Sequence, residues 1–162
     1  MGQLIGTEPT VNVPCTAKFI DGKKCKPVSF IAVFTRLFRD SRKALFEEFQ
    51  EKIKQAKKLG LEAVRLENEE DSDDVGEERL TEIEQRKEQI KVELDDIDNF
   101  WLDKILIHLK DIKNLKLSDG SIAKYCDELV AEMLSHDGYF NALREGLQRS
   151  SGVFFEEKQK NS

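Results

Sequence analysis

The chain is poor in the residues that carry chemistry. Its 162 residues include two histidines, three cysteines and one tryptophan. His108 and His136 lie far apart, and no HExxH pair, CxxC pair or glycine-rich phosphate loop occurs. Zinc hydrolysis, dithiol redox chemistry and nucleotide-phosphate binding therefore lose their usual signatures. Cys126 with either histidine could in principle form a nucleophile–base pair, but nothing local supports it. The reading is a protein that is not an enzyme and has no metal and no cofactor.

Cysteine is too scarce and too oddly spaced for a disulfide framework. Cys15 and Cys25 are near enough in sequence to meet across a hairpin. Free, partly buried thiols in a reducing compartment are the simpler reading, with Cys126 a core thiol. Long apolar runs are missing too: nothing approaches the roughly 20 residues that a membrane span needs. The first residues, MGQLIGTEPT, show no basic region followed by an apolar block, so no secretory signal is expected. Gly6 stands where a myristoylation signal wants Ser or Thr.

Charge is abundant but unevenly placed. Residues 1–61 carry a net +6, residues 62–98 a net −11 and residues 99–162 a net −1. The acidic middle repels nucleic acid. The basic first third leaves a small nucleic-acid-binding regulator as the alternative reading. Phe30, Phe34 and Phe38 would stack on bases, with Lys24, Lys26, Arg36, Arg39 and Arg42 near phosphates. Alternating phenylalanines on a strand more often make core, so a nucleic-acid partner is disfavoured. The acidic run Glu70–Asp74 lacks the ligand spacing of a calcium loop and reads as solvated.

Periodicity gives the elements. Val11, Val13, Cys15, Ala17 and Phe19 alternate with mostly polar neighbours, the period of a strand. Pro14 lacks an amide donor and places this strand at a sheet edge or a bulge. Asp21-Gly22 suits a tight turn, with Lys23, Lys24 and Lys26 in the loop. A second strand runs from Val28 to Leu37, apolar on both faces and therefore covered on both. Asp40 or Ser41 caps a helix whose stripe is Leu45, Phe49, Ile53 and Ala56, with Gly60 as its stop. An acidic loop over 67–78 follows. Leu80, Ile83, Ile90, Leu94 and Ile97 then recur in heptad-like steps, with Lys87 at a gap.

Asp95, Asp96 or Asp98 restarts a helix carrying Phe100, Trp101, Ile105, Leu106, Leu109 and Ile112. After a break at 117–121, Ile122 to Leu134 and Tyr139 to Leu147 complete the helices. The expected fold is α+β and mostly helical: an N-terminal β-hairpin or small sheet on a bundle of four or five helices. It forms a single domain over 1–162, with a charged helical excursion over 62–92 and a disordered tail over 156–162.

The order of these segments resembles the tail assembly chaperones of long-tailed phages. The second strand fits a pattern F-x-A-x-F-x-x-L through Phe30, Ala32, Phe34 and Leu37. The acidic residues before an apolar, aromatic helix appear as DDIDNFWLDKIL at 95–106, followed by the Asp119-Gly120 turn. The leucine cluster spans Leu129–Leu134, the Ala-Leu pair is Ala142-Leu143, and the basic tail holds Lys158, Lys160, Asn161 and Ser162. The similarity covers most of the chain outside residues of about 55–92; the long charged excursion departs from the family pattern. It implies a protein of the host cytoplasm, not secreted. Its implied role is to bind the tape-measure protein and keep it soluble while recruiting tail-tube subunits, without a membrane and with self-association as a further option. The binding surface would be apolar and drawn from the helices after Asp98. Trp101 is the first candidate, because tryptophan removes a large apolar area from water; Ile105, Tyr139 and Phe140 complete the partner-binding set.

Overall fold

The computed structural model describes residue 4 and residues 8–151. The expected tail over 156–162 lies outside the described residues. Seven elements follow in order: β1 (Thr10–Asp21), β2 (Lys24–Thr35), α1 (Arg39–Glu70), α2 (Glu77–His108), β3 (Leu109–Lys113), α3 (Asp127–Leu134) and α4 (Asp137–Ser150). The fold is α+β and mostly helical, as the periodicity implies. It divides into two compact units, residues 1–46 with 102–162, and residues 47–101.

The first unit is built on an antiparallel sheet of order β1-β2-β3. The β1–β2 turn is tighter than expected. Asp21 pairs with Lys24, leaving Gly22 and Lys23 to turn the chain, and Gly22 adopts φ 65°. Lys24 and Lys26 thus belong to the strand. The amide of Arg36 donates to the carbonyl of Pro9 at 2.9 Å. Because bonded and non-bonded pairs alternate in an antiparallel ladder, the odd residues of β1 turn their amides toward β2. Pro14 then faces the free edge, where its missing donor costs nothing, and Arg149 of α4 donates to its outward carbonyl at 2.5 Å. One face of the sheet holds Val13, Cys15 and Ala17 with Phe30, Ala32 and Phe34, all buried. Helix α4 packs along β1 on this face. A Cβ on Gly146 would lie 2.7 Å from Cys15 Sγ, so only glycine permits the approach seen here. Cys15 pairs with Phe30 and Cys25 with Ile20, and all three cysteines are free. Cys126 is exposed, not core, because it precedes α3 rather than lying on its inner face.

Two expected helices are corrected here. The stripe through Ile105, Leu109 and Ile112 does not stay helical: α2 ends at His108, and the chain enters β3 with no intervening loop. Leu109 and Ile112 stand three apart, a helical spacing that a regular strand would split between its two faces; a register shift leaves Lys110 unpaired, so Leu109 and Ile112 pair with Phe34 and Ala32. Residues 122–125 are not helical either. Ile122 bridges Lys116 around the Asp119-Gly120 turn, and α3 starts only at Asp127. In that turn Asp119 accepts bonds from the amide and hydroxyl of Ser121, and Gly120 adopts φ 87°.

The second unit is a helical hairpin. Its inward positions on α1 are Phe49, Lys52, Ala56, Leu59, Ala63, Leu66 and Glu70; on α2 they are Leu80, Ile83, Lys87, Ile90, Leu94, Ile97 and Trp101. Both series alternate steps of three and four, the heptad seam of an antiparallel coiled coil. Gly60 does not stop α1, and Asp95, Asp96 and Asp98 do not restart a helix, because the seam continues through both places. The acidic loop shrinks to residues 71–76, and the excursion expected over 62–92 widens to the unit Glu47–Trp101.

Candidate functional site

The four residues singled out for partner binding do not form one surface. Trp101 is 3% exposed, with its ring centroid 4.7 Å from that of Phe49 and 5.3 Å from that of Phe100. Ile105 is fully buried and Phe140 nearly so, with the Arg144 guanidinium 5.6 Å from the Phe140 ring centroid. Tyr139 is half-buried, edge-on to Phe19 at 4.9 Å. These side chains hold the fold together, and Trp101 and Ile105 offer no area for a partner to cover. The reason is periodic: Trp101 and Ile105, four apart, share the inward stripe of α2.

The neighbouring positions point outward. Leu106 and Ile107 are each 58% exposed at the end of α2. Leu106 opens onto a groove of about 240 Å³ whose other walls are Leu109, Tyr125, Asp127, Val130, Ala131 and Leu134. Tyr125 reaches across it and donates from its hydroxyl to the Leu109 carbonyl at 3.4 Å; burial pushes its phenol up from the ordinary value. Ile122 and Leu117, on the turn before α3, are exposed as well. The groove belongs wholly to the sheet-bearing unit. The groove is not legible in the sequence, because Leu106 and Ile107 sit beside the buried stripe and the periodicity over 122–125 predicts helix.

No catalytic arrangement stands out among the described residues. Burial, with Lys104 and Lys110 nearby, pushes the His108 imidazole below its usual range and favours the neutral form. Cys126 makes no hydrogen bond to either histidine among the described residues. Burial raises the Cys15 thiol, which keeps it protonated and unreactive. Among the described residues, no group of three His, Cys, Asp or Glu side chains is placed to hold a metal ion. No described helix is long and apolar enough to cross a membrane.

The stacking platform required by the nucleic-acid reading is absent from the surface. Phe30 is 3% exposed and Phe34 fully buried, which leaves Phe38 alone in water. Comparison with protein-family models, curated proteins and solved structures found no match to this chain.

Proposed function

We propose that this chain is a phage tail assembly chaperone that binds the tape-measure protein in the host cytoplasm, keeps it soluble and promotes tail-tube assembly. The observation that supports the reading most directly is the apolar groove with its exposed rim of Leu106 and Ile107. It lies after Asp98, the region from which the resemblance to the tail chaperones leads us to draw the binding surface. A tape-measure protein is a long helical chain with apolar stripes exposed before assembly. A groove lined by leucine, valine and alanine suits one turn of such a stripe, in the helix-in-groove mode. The high charge elsewhere on the chain keeps the complex in solution.

The test is co-expression with the tape-measure protein of the same phage. The expected result is that the partner moves from the pellet to the soluble fraction and co-purifies at moderate salt. A partner that stays insoluble in the presence of folded protein would end the reading.

A further inference from the structure

The helical hairpin carries a second, independent surface. Its two flanks differ. On one flank the helices are tied by ion pairs, Arg86 to Glu62 at 2.6 Å and Arg79 to Glu69 at 2.7 Å, and within α2 the same arginines also meet Glu93 at 3.4 Å and Glu82 at 3.1 Å. Lys87 meets Glu70 within the seam. These pairs fix the register and close that side.

The opposite flank has no ion pair between the helices among the described residues. On the heptad register, α1 presents Ile53, Lys57, Gly60, Val64 and Glu67 there, and α2 presents Glu84, Glu88, Lys91, Asp95 and Asp98. All five α2 residues are exposed, and Val64 is 56% exposed. Around Gly60 there is open space: a Cβ added to it would meet no atom within 4 Å. A glycine inside a long helix weakens it, and here no packing within the unit requires the glycine. The flank is thus an α1 wall with apolar Ile53 and Val64 around a bare Gly60, beside Lys57 and Glu67, facing a mostly acidic α2 wall.

From this we infer that the open flank of the hairpin docks a basic amphipathic helix of a partner protein, which would complete a three-helix coiled coil. The charge decides the occupant. A second copy would bring another −11 stretch against the first, and like charges facing one another oppose association. A helix with an apolar seam and lysine or arginine beside it matches both walls. This surface is separate from the apolar groove and does not depend on the tail-chaperone reading.

The test uses the full chain and a fluorescent synthetic helix about three heptads long, leucine in its seam and lysine beside it, with a counterpart carrying glutamate instead. Anisotropy titration should give saturable binding of the lysine peptide, with the glutamate peptide at least about tenfold weaker. Gly60→Leu should fill the floor and abolish binding while the melting temperature holds or rises. Glu84→Lys with Asp98→Lys should weaken binding strongly. Asp73→Lys with Asp74→Lys, the same change in net charge placed in the loop, should not. The inference fails if the lysine peptide does not bind, if the loop pair weakens binding as much as the flank pair, or if Gly60→Leu binds like wild type. It also fails if sedimentation shows a wild-type dimer that Gly60→Leu dissolves, since the occupant would then be a second copy.

Discussion

At the scale of single residues, the sheet core rests on side chains that the strand period identifies correctly. Phe30 and Phe34 are buried because β2 is the central strand and carries apolar residues toward the helices. Phe34→Ala should cost about 3–5 kcal/mol, through lost burial and the cavity left behind, read as a shift in the denaturant midpoint. A near-neutral result would contradict the burial seen here. Pro14 was equally legible, since a residue without a donor belongs at an edge. The glycines were not legible, because sequence cannot show what a Cβ would touch. Gly146 lies against Cys15 Sγ, so Gly146→Ala should destabilise by about 1–3 kcal/mol through overpacking, despite alanine's better helix propensity. Gly60 meets nothing, so Gly60→Ala should stabilise by about 0.5–1 kcal/mol. Thermal melts of the two variants should therefore move in opposite directions.

At the scale of elements, existence was easier to read than boundaries. The heptad stripe from Leu80 to Ile97 stood out because its period persists, whereas Gly60 and the aspartates at 95–98 looked like punctuation. Local signals gave way to the seam: a helix tolerates a glycine or three aspartates when its inward positions keep a partner. β3 was hidden because the step of three from Leu109 to Ile112 reads as helix, and the bulge that reconciles it with a strand arises only in pairing with the distant β2. The ion-paired flank makes the hairpin sensitive to acid. Hydrogen bonds from Arg86 hold Glu62 below the usual carboxylate range, and those from Arg79 do the same for Glu69. A carboxylate with a depressed folded pKa stabilises the fold above its unfolded pKa, and this is lost as pH falls through the folded value. Protonation also relieves repulsion within the −11 stretch, so the informative quantity is a difference between proteins. Arg79→Gln with Arg86→Gln should melt below wild type at neutral pH. The gap should close as pH drops below about 4, and it should shrink at high salt because the pairs are exposed. A gap that persists in acid would mean that the arginines act through packing alone.

At the scale of the whole molecule, the sheet-bearing unit has its own core of β1, β2, β3 and α4, and the hairpin has its own seam. Replacing residues 62–92 with a short flexible linker removes the loop end of both helices. The remaining protein should keep a cooperative unfolding transition, because closing a surface loop costs little. Loss of that transition would mean that the sheet-bearing unit depends on the outer hairpin. The candidate groove was not legible in the sequence: Trp101 and Ile105, read there as partner-binding, lie on the inward stripe, whereas Leu106 and Ile107 beside them are exposed. That difference can be measured. Trp101→Ala should lower stability by about 3–5 kcal/mol, and partner binding should fall only as the folded fraction falls. Leu106→Asp should leave the melting temperature nearly unchanged, since Leu106 is 58% exposed, yet it places a charge on the groove wall next to Leu109, Val130 and Leu134. An uncompensated carboxylate under an apolar partner costs far more than the lost methyl contacts, so retention of the tape-measure protein in pull-downs should be abolished. Raising salt should not release the wild-type complex, because an apolar interface is not screened. If Leu106→Asp retains the partner as well as wild type, the groove is not the binding surface. If wild-type binding disappears in moderate salt, the contact is electrostatic and belongs to the charged hairpin instead.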